Sequence, residues 1–412
     1  MLISRKQSNL MKGIAMLMIC LHNLLHQNSI FKECEFAFYP ERVMQLSSIP
    51  LTPWHIVEAF FSFWGWYGVP IFIFFSGYGL VCKHEILAKN LTPRAYIYHN
   101  YLKLIILLLP GYLFYFFRWI SLPAIILFIG FGIASIFENK IRQMYIWQMI
   151  CHNYLKIFLL LIPFYLLLLC ASNEFDSIKI MFYHVTLLVN LIEPKCISPG
   201  VYWYFGLTLQ LYLVYLLFYY YQSPILPVFA STLSLIIGVI LACLPPSSFH
   251  EYLRHNFLLW LPIFILGIAV GRYGEKNIYI RTIISRRWLS LTTFTLLWII
   301  SSLYRPLWVF SPIFFIILIY LISVASSVIS SAHIQSKIFT LIHLPIVRVL
   351  SYIGTISSGL FVCHPIIRDY FSPNLTEGWS LFLTLFLYLL FCIIIAIFYT
   401  FIYKKITILI GI

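Results

Sequence analysis

Lys12 opens the stretch "KGIAMLMICLHN"; His22 and Asn23 close it, ten and eleven positions later, with nothing charged between. A cation and an imidazole inside an otherwise apolar helix are costly to bury, so each is a functional candidate by default. An imidazole titrating near neutrality can take a proton from a hydroxyl, the work of a general base. The plain alternative for His22 is a neutral ring hydrogen-bonded to a neighbouring helix. His26 follows one turn on and shares the face of His22. At 1.5 Å per residue, Lys12 lies about 15 Å along the helix from His22. It would either snorkel at the interface and orient the helix, or hold an anionic group of a cytoplasmic cofactor.

Three further stretches combine polar groups with apolar surroundings. "GVPIFIFFSGYGL", Gly68 to Leu80, carries Ser76, Gly77 and Gly79, small residues that permit close helix approach. Ser76 has no acid or histidine beside it and lacks a G-x-S-x-G elbow, so it is not cast as a nucleophile. "GVYWYFGLTLQLY", Gly200 to Tyr212, places Trp203 and Tyr204 at an interface and Gln210 within the span, where its amide needs a partner. "LSYIGTISSGLFVCHPII" carries His364 directly before Pro365, either a ligand or a structural histidine capping a proline-interrupted helix.

These stretches must be positioned by membrane helices. Of 412 residues, 62% are hydrophobic and 10% charged, and mean hydropathy is +0.93. Soluble domains are roughly half apolar and a quarter charged. Apolar runs of spanning length recur from end to end, which predicts an all-α, polytopic membrane helical bundle of about 10–12 transmembrane helices. The expected spans are 8–27, 56–82, 102–117, 120–137, 154–171, 201–221, 225–245, 256–273, 288–304, 307–330, 350–370 and 380–403. The first is read as a retained span, because it has no small-residue cleavage site. With the N-terminus inside, 19 Lys and Arg fall on the inner side and 8 on the outer, Arg42 among the latter. The positive-inside rule therefore puts both termini in the cytoplasm and makes the net charge of +14 topogenic, with no nucleic acid implied. Nine cysteines stand singly, without metal-ligand or paired spacing. The segments 28–54 and 172–200 are the longest polar ones and fall outside, where a substrate would be met. The chain, 1–412, reads as one integral membrane domain.

The order of the four stretches resembles the acyltransferase-3 family of bacterial integral membrane acyltransferases. Its members are similar in starting with a basic residue, about ten apolar residues and a histidine in the first helix. They continue with G-V-x-x-F-F/I-x-x-S-G-[YF], then W…Q-x-Y, then I-G-x-x-S…H-x-P/I. The resemblance covers about residues 5–370. It implies transfer of an acyl group, usually acetyl, from cytoplasmic acyl-CoA to a hydroxyl of an envelope glycan or glycolipid, at the bacterial cytoplasmic membrane. Carried over, His22 is the essential first-helix histidine and Lys12 its basic partner. Trp203, Gln210 and Tyr212 match the middle helix, and His364 the late histidine.

This chain departs from that pattern in three places. The family mostly has Arg eleven positions before the histidine; here Lys stands ten before it, and Asn23 holds the eleventh position. Eleven steps return to within about 20° of the same helix face, whereas ten leave a gap of about 80°. Thr208 and Leu209 stand where the middle helix often has an acid, and the paired arginines after the second helix are reduced to Arg94, His99 and Lys103. The implied mechanism keeps the acyl-CoA phosphates at the cytoplasmic face near Lys12, Arg94 and Lys103. The acceptor arrives from outside among Trp64, Trp66, Tyr202 and Trp203. His22 either deprotonates its hydroxyl or is itself acylated, and no metal or bound cofactor is required. The rival readings are a transporter or flippase of a lipid-linked glycan, an envelope-glycan polymerase or ligase, and an inactive family member.

Overall fold

The computed structural model describes residues 3–26, 38–86, 93–116, 183, 186–192, 200–221, 223–245, 247–274, 277–331, 337–375 and 379–410. Helix α1, Arg5–Leu25, starts at a capping box: Ser4 Oγ accepts from the Gln7 amide, and the Gln7 side chain accepts from the Ser4 amide. Two otherwise orphaned groups are thereby satisfied, and α1 runs on without a break. The chain continues through a short helix, α2 (Pro40–Ser47), and α3 (Pro53–Trp64). A 3₁₀ turn at Gly65–Tyr67 leads into α4 (Gly68–Val81), which ends in a π turn at Cys82–Ile86. From Pro53 to Ile86 this is a single rod of 34 residues. At 1.5 Å per residue it is about 50 Å long, more than the roughly 30 Å hydrocarbon core needs, so the rod is longer than the core is thick.

α5 spans Pro93–Phe116. The remaining long helices are α6 (Trp203–Tyr221), α7 (Ile225–Cys243), α8 (Leu261–Tyr273), α9 (Arg287–Leu303), α10 (Ser311–Ser331), α11 (Lys337–Thr355), α12 (Ser357–Phe371) and α13 (Trp379–Ile410). No strand occurs among the described residues. Five described helices are long and apolar enough to cross a membrane, six if one bent pair counts as a span. Trp203–Tyr219 and Phe257–Tyr273 are shorter apolar helices. The expected spans 120–137 and 154–171 lie outside the described residues. The structure is a helical membrane bundle, as the composition requires.

One expected span is corrected. Residues 350–370 are not a straight helix: the chain turns by 82° between Pro345–Thr355 and Ser357–Phe371. Ile356, at φ −105° and ψ 9°, leaves helical geometry. The helix before it is drawn onto α1, where Gly13 faces the backbone of Leu350 and Gly354 faces that of Asn9. Only glycine lets two backbones approach so closely.

α1 lies at the centre, packed against α3, α4, α10, α11 and α12. α4 is apolar all round, as a buried helix is, and packs along α8. α7 and α13 are rim helices. They expose Val228, Phe229, Ile236, Leu383, Phe386 and Phe391, as lipid-facing helices do.

Candidate active site

His22 sits in the last turn of α1, 4% exposed. Its Nδ1 lies 3.0 Å from the backbone oxygen of Phe61 on α3. A carbonyl can only accept, so Nδ1 carries the hydrogen and Nε2 keeps the basic lone pair. The 3₁₀ turn makes this contact possible. A Cβ on Gly65 would stand 2.5 Å from His22 Cβ and 2.9 Å from Met18 O, so a side chain there would push α3 off α1. The His26 ring stacks on His22 at 4.9 Å between centroids and 20° between planes.

Asn23 Nδ2 lies 3.1 Å from His364 Nε2, joining α1 to α12 across 341 positions of sequence. His364 is fully buried, and its Nδ1 donates to Leu360 O at 3.0 Å. The same reasoning fixes its tautomer: Nδ1 is protonated, and Nε2 accepts from the Asn23 amide. His364 therefore has both nitrogens engaged within the fold. Pro365 has no N–H to offer Phe361 O one turn back; the His364 ring donates one carbonyl earlier, to Leu360 O. Tyr388 of α13 ties the same level together, its hydroxyl donating to Cys20 O at 3.3 Å and lying 3.5 Å from His364 O. From His364 an aromatic wall runs through Phe361 to Tyr204 of α6, with ring centroids 5.6 and 5.0 Å apart. The Tyr204 hydroxyl reaches Ser76 Oγ at 3.5 Å, and Ser76 donates to Phe72 O at 3.0 Å. Four stretches separate in sequence thus meet around one buried imidazole.

Toward the other end of α1, the Lys12 ammonium lies 5.0 Å from the centre of the Phe75 ring on α4, a cation–π contact. Lys103 is on α5, half-buried. The Arg94 side chain lies outside the described residues. Burial, with the ammonium groups of Lys103 and Lys83, holds His99 below its ordinary value. Cationic groups therefore gather at this end of α5.

A sequence profile of the acyltransferase-3 family, described as an acyltransferase domain, matches residues 5–402. The chain belongs to that family. No curated protein and no solved structure matches it significantly. The match runs past the late histidine motif into α13, so nearly the whole helical bundle of this multi-pass membrane acyltransferase is the family's domain.

The remaining site candidates of the acyltransferase lie elsewhere. Trp203 is buried and stacks on Trp260 at 5.8 Å and 22°. Gln210 has both ends of its amide occupied: Nε2 donates to Asn256 Oδ1 at 2.9 Å, and Oε1 accepts from the Phe257 amide at 3.0 Å. Asn190 extends the network, donating to Trp203 O and His255 O at 2.6 and 2.7 Å. This staples the start of α6 to the segment before α8. Tyr212 packs its ring against Tyr96 of α5 at 6.4 Å. Thr208, where the family often has an acid, bonds back to Tyr204 O at 2.7 Å.

Two arrangements were missed by sequence reasoning. Glu85, in the π turn, takes a two-pronged ion pair from Arg272 of α8, both contacts at 2.7 Å, and the Tyr215 hydroxyl donates to the same carboxylate at 3.0 Å. Arg42 of α2, counted only as an outer charge, is buried against the end of α3. A lone acid closing a span was a readable signal for Glu85; its partner, 187 positions away, was not.

Proposed function

We propose that this acyltransferase moves an acyl group, acetyl by family habit, from cytoplasmic acyl-CoA to a hydroxyl of a cell-envelope polysaccharide or glycolipid in the bacterial cytoplasmic membrane. His22 acts as general base. One observation carries the reading: the Nδ1–H bond to Phe61 O holds the ring in the tautomer whose Nε2 can accept a proton. The acceptor O–H gives its proton to Nε2 as its oxygen attacks the thioester carbonyl carbon. The C–S bond then breaks, and the proton on His22 passes to the leaving thiolate, giving ester and free CoA. Asn23, held by His364, stands one residue beyond the base and binds at the reacting end. Lys12, Lys103 and Arg94 serve the anionic end of the donor. Trp203, Gln210 and Tyr212 keep α6 in register with the aromatic wall that faces the acceptor.

Purified protein and its His22→Ala and His22→Gln variants, given labelled acetyl-CoA and envelope glycan, test this. Loss of a positioned base lowers rate by about 10²–10⁴. Glutamine donates and accepts hydrogen bonds but cannot take the proton, so both variants lose transfer while still binding acyl-CoA. Near-normal transfer by His22→Gln would show that His22 is not the base.

A further inference from the structure

Arg42 lies in the outer segment between α1 and α3, yet it is only 2% exposed. A guanidinium withdrawn from water must be repaid by hydrogen bonds, and the partners here are specific. Its Nη2 donates to Ser62 O at 3.0 Å and to Phe63 O at 2.7 Å, and its planar face lies 4.2 Å from the centre of the Phe63 ring. Ser62 and Phe63 belong to the last turn of α3, where the last carbonyls of a helix are left without partners and the helix end carries partial negative charge. A planar cation with several donors suits both conditions.

The carbonyl immediately before these two is that of Phe61, which accepts from the Gly65 amide and from His22 Nδ1. Three consecutive carbonyls thus divide between one imidazole and one guanidinium. Successive peptide planes share a Cα, so the direction of one constrains the next. With Ser62 O and Phe63 O pinned from the outer side, the Phe61 oxygen is held toward α1. We infer that Arg42 is a positioning residue: it acts through the α3 backbone to keep the Phe61 carbonyl on His22 and so sets which imidazole nitrogen is protonated. The inference rests on His22 being the base, but the bond it describes can be measured without any turnover.

The test uses full-length protein in lipid nanodiscs, labelled with ¹⁵N-histidine. The His22 signals are those that vanish in His22→Gln. In the unsubstituted protein His22 shows one fixed tautomer, protonated at Nδ1. Arg42→Lys keeps the charge but loses the planar guanidinium that lies on the Phe63 ring while it donates to both carbonyls; Arg42→Gln removes the charge as well. In both, the His22 nitrogen shifts move toward the averaged values of exchanging tautomers. kcat falls by about 10- to 100-fold, the scale of a small misplacement at a reacting centre, while KM for acetyl-CoA holds. Phe63→Leu, which removes the ring beneath the guanidinium and leaves both carbonyls, gives a smaller shift in the same direction. Unchanged His22 shifts in any folded Arg42 variant would overturn the inference. So would loss of fold in all three variants, which would make Arg42 purely structural. The other failure is distinct: if His22→Gln keeps transfer, the base assignment falls while the tautomer result stands.

Discussion

Asn23 occupies the position that the family's spacing reserves for the histidine. A regular α1 puts Asn23, eleven residues on, within about 20° of the face that Lys12 defines, and His22 about 80° away from it. The two neighbours accordingly do different things: Asn23 reaches α12 through His364, and His22 reaches α3 through Phe61. In Asn23→Ala, His364 Nε2 is left buried without its donor, a loss of about 1–3 kcal/mol. Thermal unfolding in detergent should show it, and adding His364→Leu should cost less than the sum of the single changes, because the unsatisfied nitrogen is then gone. Additive losses would mean that the pair does not couple. His22, Asn23 and His364 were legible as residues, since a polar side chain in an apolar run stands out. Their bonds were not, because hydrogen bonds between helices follow from packing. Gln210 illustrates the limit: its need for a partner was readable, but its clamp on Asn256 and Phe257 was not.

Among the elements, the 3₁₀ turn between α3 and α4 governs the approach to His22. Gly65→Ala puts a methyl group 2.5 Å from His22 Cβ and 2.9 Å from a backbone oxygen, neither of which is the end of a flexible side chain. α3 must then shift, and the Phe61–His22 bond with it. Gly79 is the natural control, because a Cβ there meets nothing within 4 Å. Gly79→Ala should match or slightly exceed the parent in stability, since alanine is the better helix former. Gly65→Ala should lose most transfer with acetyl-CoA binding kept. Equal transfer by the two variants would remove the turn from the account. The helix positions were largely legible, because long apolar runs have few other solutions in a membrane. The 82° turn at Ile356 was not. The polar residues of 350–370 are scattered along it with none marking a break at Ile356, and hydropathy cannot see that Gly13 and Gly354 pull the preceding helix onto α1.

For the whole molecule, the strongest reading of the sequence concerns sidedness. The 19-to-8 division of Lys and Arg predicts that the 272–287 segment is cytoplasmic. An impermeant thiol reagent applied to intact cells should therefore not label Ile280→Cys above the level of the parent chain, and should label it once the membrane is opened. Labelling in intact cells would reverse the orientation and the side from which acyl-CoA enters. Charge placement is legible because insertion reads it segment by segment. The joining of Glu85 to Arg272 and Tyr215 requires the assembled bundle.

The rod from Pro53 to Ile86 touches every level of the site. Its outer third holds His22 through Phe61 O, its middle receives Lys12 on Phe75, and its inner tip is fastened to α8 through Glu85 and Arg272. Along this stretch the chain stays helical through the tight turn at Gly65–Tyr67 and past Pro70, with Arg42 taking the two carbonyls that the turn leaves over. From Phe61 to Glu85 is about 36 Å at helical rise, so one continuous run of chain carries the contact on His22 at one end and the anchor on Arg272 at the other. Whatever displaces the Glu85–Arg272 anchor acts on the same continuous run of chain that presents the Phe61 carbonyl to His22.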